Sequence, residues 1–462
     1  MALIKSISGI RGTIGGFEGD NLTPLDIIKF TAAFVSFIKQ RSTKDSIKLV
    51  IGRDARISGM MVNHIVIGTA MSLGADIIDT GLSTTPTVEI AVPLAMADGG
   101  IILTASHNPK QWNALKLLNE KGEFISASEG NLLLEMIAEN KFEFNNVDEL
   151  GQYYEDSSLN DEHIKQVLAM PLVDVEAIRN ADFKVALDCV NSSGGILLPE
   201  LLKELGVTQI EKLYCEPNGN FPHNPEPLPK NLTEISKLMT TAKADVGFVV
   251  DPDVDRLAII SEDGSMFGEE YTLVAVADYV LQHQKGNTVS NLSSTRALRD
   301  ITEKYGGEYF ASAVGEVNVV EKMKAVNAII GGEGNGGIID PALHYGRDAL
   351  VGIALFLTHL AKSGLKCSEL RKTYPEYYIS KNKIELSPEL NVDLILENMK
   401  EKYKDTPHST IDGLKIDFEE EWVHLRKSNT EPIIRIYVES KNAEKSDALA
   451  EKIMGEIRLV SV

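Results

Sequence analysis

Lys184-Val185-Ala186-Leu187, followed at once by Asp188-Cys189-Val190-Asn191-Ser192-Ser193-Gly194-Gly195, reads as a short apolar strand running into a small polar loop. The same order recurs at Lys48-Leu49-Val50-Ile51 before Gly52-Arg53-Asp54, and at Asn287-Thr288-Val289-Ser290 before Asn291-Leu292-Ser293-Ser294-Thr295. Each is followed by a periodic apolar segment, as from Arg296 to Tyr305, whose spacing predicts a helix. Strands alternating with helices fold as α/β domains with mainly parallel sheets. Three such stretches suggest three copies of a related unit.

Polar breaks mark the boundaries. The acidic, Asn-rich run from Glu139 to Asn160 reads as a linker before a new helix. Further transitions fall near Arg256–Asp263 and around Lys372–Lys383. Beyond the last, the pattern predicts a helix over Val392–Lys404, strands over Ile411–Phe418, Glu421–Arg426 and Ile433–Glu439, and a final helix from Ala443 to Arg458. That order predicts a small α+β domain with an antiparallel sheet. Four domains result, at residues 1–155, 156–257, 258–372 and 373–462. The Pro-, Asn- and Gly-dense segment from Asn218 to Pro229 reads as a loop, a composition that need not mean disorder.

Bulk properties narrow the function. A chain of 462 residues exceeds one hydrophobic core, and 43% hydrophobic with 24% charged residues is an ordinary composition for packed domains. No stretch approaches the ~18 apolar residues of a membrane span, and the first residues lack the apolar segment of a secretory signal. Three cysteines, Cys189, Cys215 and Cys367, are an odd number with no close pair in sequence. They argue for a reducing compartment, and the expected location is cytoplasmic. A net charge of −21 disfavours nucleic-acid backbones as partners. It also means that an anionic ligand must be held by local arginines, loop amides or a bound cation.

Four motifs meet that need. Thr104-Ala105-Ser106-His107-Asn108-Pro109 leaves the apolar run Gly99-Gly100-Ile101-Ile102-Leu103, the position where open α/β sheets bind ligands. Ser106 suits a nucleophile or phosphoryl carrier with His107 beside it; a capped turn before Pro109 is the plain alternative. Asp251-Pro252-Asp253-Val254-Asp255-Arg256 follows the strand-like Ala244–Val250 and crowds three carboxylates into one turn. Their repulsion, on the order of a kcal/mol per pair, is relieved by a hard cation such as Mg²⁺. The spacing lacks the glycine and terminal glutamate of an EF-hand. A solvated acidic turn is the competing reading, and Arg256 suits either an ion pair or a phosphate.

Gly331-Gly332-Glu333-Gly334-Asn335-Gly336-Gly337 allows close backbone approach, with Glu333 and Asn335 offering groups to hydroxyls. It is neither a P-loop nor a dinucleotide loop, and a tight structural turn would explain it equally. Tyr345-Gly346-Arg347-Asp348 adds a charge nearby in sequence. Arg426-Lys427-Ser428-Asn429-Thr430-Glu431-Pro432, with Arg435 beyond, matches the needs of a phosphate dianion, although an ordinary hairpin is the alternative. Together the four supply the parts of phosphoryl transfer, whose catalysis is mainly positioning and charge stabilisation.

In this order, and with Ser8-Gly9-Ile10-Arg11-Gly12-Thr13 before them, the motifs resemble those of the α-D-phosphohexomutase family over essentially the whole chain. The resemblance implies four domains around a central cleft: three similar α/β domains with mixed, mainly parallel sheets, then an α+β domain with an antiparallel sheet. It implies that Ser106 is the phosphoserine and that Asp251, Asp253 and Asp255 hold Mg²⁺ with a phosphoserine oxygen. Arg11 and Lys116 match residues serving the transfer, Lys116 as a candidate acid/base. Glu333 matches the sugar-hydroxyl reader, and Arg426, Ser428, Asn429 and Thr430 match the clamp for the non-reacting phosphate. The implied reaction exchanges hexose 6-phosphate and 1-phosphate through a 1,6-bisphosphate, which also serves as activator, in a monomer or homodimer.

Two departures bear on the sugar. Asn335-Gly336-Gly337 replaces the family's frequent Ser-Gly-His, leaving open whether His344 substitutes for that histidine, and Asn113-Ala114-Leu115-Lys116 replaces Asn-Gly-x-Lys. The Gly-Asn-Gly-Gly loop is similar to a branch of phosphoglucosamine mutases and broad phosphomannomutase/phosphoglucomutases. Glucosamine phosphate is the expected sugar, with mannose or glucose phosphate as the rival. A metal-dependent phosphatase and an inactive phosphosugar-binding regulator are the readings from other classes.

Overall fold

The computed structural model describes residues 3–6, 9–44, 46–385, 391–427 and 433–460. They divide into one unit of Met1–Thr272 with Gly336–Leu370, and another of Leu273–Asn335 with Arg371–Val462.

In the first unit, apolar runs become interior strands. Gly99–Leu103 and Val246–Val250 are buried at every residue, which a strand covered on both faces requires. Gly99–Leu103 lies in a seven-stranded sheet ordered Ile4–Ser6, Gly9–Thr13, Trp112–Leu118, Gly99–Leu103, Ile47–Arg53, Ala75–Leu82, Tyr153–Glu155. The pairs from Gly99–Leu103 through Tyr153–Glu155 are parallel, and the others antiparallel. Val246–Val250 lies in a four-stranded sheet, antiparallel to Leu257–Ser261 and parallel to Lys184–Asp188, which is parallel in turn to Gln209–Leu213. Helix starts carry their caps. Thr23 forms a capping box with Asp26 ahead of Pro24–Arg41, and Asp348 accepts from the Leu350 and Val351 amides at the head of the buried helix Ala349–Ser363.

The second unit contains Asn287–Asn291 between two parallel partners, Tyr309–Ser312 and Ala328–Glu333. It also contains an antiparallel sheet ordered Tyr378–Glu385, Ile433–Ser440, Trp422–Lys427, Leu414–Asp417, His408–Ser409. Helices Val392–Lys402 and Ala443–Val460 cover this sheet, burying Ile395, Met399, Ile453 and Ile457 against Ile416, Val423, Leu425 and Ile436. Mixed α/β sheets followed by a C-terminal antiparallel sheet are the architecture the sequence predicts.

Two segments differ from expectation in detail. Tyr153–Glu155, read as linker, pairs as a strand on the edge of Ala75–Leu82. All three of its residues are exposed, so no burial pattern announced it. The strand expected from Ile411 begins only at Leu414, because Gly413 turns at φ +68 where a Cβ would meet the Leu425 carbonyl at 2.1 Å. Among the described residues, no helix is long and apolar enough to cross a membrane.

Candidate active site

The site in the first unit is built where two buried strands end. After Gly99–Leu103 the chain turns sharply, with Ser106 in the left-handed region at φ +48 and the Asn108 amide bonded to the Ala105 carbonyl. Such a backbone position is unusual for a non-glycine residue and marks a site whose surroundings enforce it. Arg56 does much of the enforcing. Its buried guanidinium donates to the carbonyls of Ser106, Asn108 (2.7 Å), Pro109 (2.8 Å) and Trp112 (3.0 Å). Asp54 holds Arg56 Nε at 3.0 Å and accepts from the Thr104 hydroxyl at 2.7 Å. Burial pushes the Asp54 carboxyl up, against the Arg56 charge and the hydrogen bonds that favour its ionised form.

The acidic loop is fixed through its carbonyls. The Val254 amide donates to the Asp251 carbonyl, closing a turn with Pro252 at its second position. Ser192 and Ser193 hydroxyls donate to the Pro252 carbonyl at 2.7 and 2.9 Å. The Thr85 amide donates to the Asp253 carbonyl at 2.9 Å, and the Ala349 amide to that of Val254 at 3.2 Å. Val254 itself sits at φ +64, a strained position for a β-branched residue.

With the backbone tied, the side chains converge. Ser106 Oγ donates to Asp251 Oδ2 at 2.8 Å and lies 3.3 Å from His107 Nδ1. Lys116 Nζ is 2.7 Å from Asp253 and 3.5 Å from Asp255. Arg347 donates to Asp255 at 2.6 Å, Arg256 Nε lies 3.9 Å from Asp255, and Arg11 donates to Asn108 Oδ1 at 2.9 Å. Burial raises Asp251 well above the ordinary range, and the Asp255 and Asp253 charges raise it further. Burial opposes ionisation of Asp253 too, but Lys116 overcomes it and holds that carboxyl low. Burial would lower Lys116, yet the two aspartates win and keep it charged. His107 is held well below its ordinary value by burial and by Arg256 and Arg11, so its ring is neutral.

The triad fits a divalent cation. One carboxylate oxygen from each of Asp251, Asp253 and Asp255 lies within 4.8 Å of the others, and all three residues are buried. Asp253 Oδ1 and Asp255 Oδ1 are buried with no hydrogen-bond partner among the described residues. All-oxygen donors with spare lone pairs are the chemistry of Mg²⁺.

The remaining candidates lie in the second unit. Glu333 accepts from Asn291 Nδ2 at 2.8 Å and from the Gly315 amide at 3.1 Å, and Asn335 Nδ2 reaches it at 3.4 Å. Arg426 and Arg435 are cross-strand partners, and Asp412 holds Arg426 Nε at 2.8 Å. Two arginines opposite one another repel unless an anion lies between them. Ser428, Asn429 and Thr430 lie outside the described residues, as does Ser8.

Sequence reading missed Arg56, Thr85 and His163. Arg56 stood in a polar loop leaving a strand, the same signal that drew notice to Ser106. His163 Nδ1 lies 2.8 Å from the Thr87 hydroxyl and its Nε2 2.8 Å from Asp348, which also takes His344 Nε2 at 3.2 Å. The other ring nitrogen of His344 lies 3.4 Å from Glu89.

A serine in the turn that leaves a buried strand, facing a buried carboxylate triad with a charged lysine beside it, is an arrangement suited to phosphoryl transfer. Family models agree. Those for phosphoglucomutase/phosphomannomutase α/β/α domains I, II and III match residues 3–144, 161–264 and 268–378, and that for the C-terminal domain matches 383–456. A phosphoglucomutase/phosphomannomutase of Thermococcus kodakarensis is 35% identical, over 94% of this chain and 95% of its own. A probable phosphoglucosamine mutase of Pyrococcus abyssi is 31% identical, over 96% of this chain and 95% of its own. The crystal structure of a phosphoglucomutase/phosphomannomutase family protein from Burkholderia thailandensis superposes with a TM-score of 0.84 at 25% identity, covering 99% of this chain and 96% of that one. The chain belongs to the phosphoglucomutase/phosphomannomutase family and is a phosphohexomutase.

Proposed function

We propose that the chain interconverts glucosamine 6-phosphate and glucosamine 1-phosphate through phosphorylated Ser106 and a 1,6-bisphosphate. The observation that carries the chemistry is the 2.8 Å approach of Ser106 Oγ to Asp251 within the buried triad. Mg²⁺ held by Asp251, Asp253 and Asp255 would offset the charge on the phosphoryl oxygens. Ser106 passes its phosphoryl group to the free hydroxyl of the substrate and receives the other phosphoryl of the bisphosphate in the second half-reaction. One proton must move from attacking hydroxyl to leaving oxygen in each half. Lys116 is the assigned acid/base, and its raised pKa favours the donor form. Neutral His107 orients the serine, while Arg11, Arg256 and Arg347 supply positive charge. Glu333 and Asn335 read sugar hydroxyls, and Arg426, Ser428, Asn429, Thr430 and Arg435 hold the second phosphate.

The reading includes boundaries near residues 155, 257 and 372, a cytoplasmic setting, a monomer or homodimer, and hexose 1,6-bisphosphate as activator. The relationship to proteins called probable phosphoglucosamine mutase supports glucosamine. The relationship to a protein called phosphoglucomutase/phosphomannomutase supports the alternative, a broad hexose mutase. Measuring kcat/KM on glucosamine 6-phosphate, glucose 1-phosphate and mannose 1-phosphate, after bisphosphate priming, decides between them; a clear hexose preference overturns glucosamine. Release of inorganic phosphate at the rate of turnover would point to a phosphatase. Phosphate found reproducibly on a residue other than Ser106, or full turnover by Ser106→Ala, would remove the carrier role.

A further inference from the structure

Cys189 and Cys215 are 26 residues apart in sequence, yet their sulfurs lie 3.6 Å apart. They leave the ends of neighbouring parallel strands, in which Asp188 and Leu213 are register partners. We propose that these two thiols close reversibly into a disulfide that acts on the Asp251–Asp255 loop. Its effect on turnover rests on the reading of that loop as the metal site.

The route is short. The Ser192 amide bonds to the Cys189 carbonyl at 2.9 Å, and the Ser192 and Ser193 hydroxyls hold the Pro252 carbonyl. Ser192 Oγ also accepts from the Ala55 amide at 3.2 Å, next to the Asp54–Arg56 pair under Ser106. The backbone around the pair stores strain: Val190, Asn191 and Tyr214 have φ of +46, +53 and +52, and the Asn191 amide bonds to the Tyr214 carbonyl at 2.7 Å. In the proposed switch, drawing the sulfurs to the ~2.05 Å of a disulfide shifts one of these strained segments instead of only rotating the two side chains. The Cys189 side carries the serines that hold Pro252.

The two thiols have different parts. Cys215 is partly exposed and Cys189 is buried. Their mutual hydrogen bond lowers Cys215 and raises Cys189, which burial raises further. As the thiol a small oxidant can reach, Cys215 is the attacking one. With a low-molecular-weight disulfide as oxidant, Cys215 Sγ bonds to one of its sulfurs and expels one small thiol. Cys189 Sγ then bonds to Cys215 Sγ and expels the second. The protein loses two protons and two electrons, and the oxidant is cleaved to two thiols. Cys367, buried and pushed up to about 12 by burial, is an internal control.

The test treats the full chain with oxidised glutathione and reads peptide masses, kcat and the Tm shift produced by Mg²⁺. The expected result is a Cys189–Cys215 linked peptide lighter by two hydrogens, Cys367 still reduced, a severalfold lower kcat and a smaller Mg²⁺ shift, all reversed by dithiothreitol. Cys215→Ser should lose the response, and Cys189→Ser should stall as a glutathione adduct on Cys215. A wild-type protein that stops at that adduct, or that forms the link with kcat and Mg²⁺ shift unchanged, overturns the proposal. If the reduced protein turned over no sugar phosphate, the mutase reading would fail, and the Mg²⁺ shift would still report on the switch.

Discussion

The guanidinium of Arg56 donates a hydrogen bond to the backbone carbonyl of Ser106, 50 residues away in sequence, from a fully buried position beside Asp54. Removing one member of such a pair leaves a buried charge without its partner, which costs about 3–5 kcal/mol. Arg56→Met should lose stability in that range, and turnover should fall because the left-handed turn at Ser106 loses its brace. Equilibrium urea unfolding with parallel kcat measurement checks both; a loss below about 1 kcal/mol would contradict the role assigned here.

Three buried carboxylates within one turn should make the protein more stable with a cation than without it. Mg²⁺ at about 100 times its Kd stabilises by about 2.7 kcal/mol, so Tm should rise on addition and fall with a chelator. Asp253→Asn should flatten this response and reduce turnover. An unchanged Tm across a Mg²⁺ titration, read by calorimetry, argues against a metal in the triad.

His163 bridges two helix starts, since Thr87 lies in Thr85–Leu94 and Asp348 caps Ala349–Ser363. The first residue of each helix, Thr85 and Ala349, donates to a carbonyl of the acidic loop. His163→Ala should therefore lower kcat by about tenfold with KM little changed, the pattern for a group that positions others. Partial rescue by His163→Gln, which can restore one hydrogen bond, separates positioning from a general loss of fold; a change in KM alone would refute it.

His424 is buried, with Nε2 2.7 Å from the Asp412 carbonyl and Nδ1 2.8 Å from the Ser293 hydroxyl. Burial, resisted only in part by the Asp412 carbonyl, lowers its pKa to about 4. Between that value and the unfolded ~6.5, the unfolded chain binds the extra proton, so stability rises with pH across the window and is lost as pH falls through it. The loss should be on the order of 2–3 kcal/mol from pH 6.5 to 4. His424→Asn should flatten that slope; an equally steep slope in the variant would assign it elsewhere.

The legibility of the fold followed burial. Strands such as Lys184–Asp188 and Val246–Val250 were readable because interior strands are apolar runs closed by small polar loops. Tyr153–Glu155 was not, since an exposed edge strand owes its shape to a neighbour's open hydrogen bonds. The site divides similarly. Ser106, the three aspartates and the glycine loop stand in compact local motifs. Arg56, Thr85, His163 and the Cys189–Cys215 approach depend on contacts across 26 to 185 residues, which leave no periodic mark.

By itself, then, the sequence determined the α/β architecture, the family and the groups able to carry and neutralise a phosphoryl group, because each rests on local pattern. Only the tertiary structure decided that Lys116 is charged against Asp253, that His107 is neutral, and that Arg56 braces the carrier turn. Charge state and backbone strain depend on which distant groups share a dry interior, and folding alone brings them there.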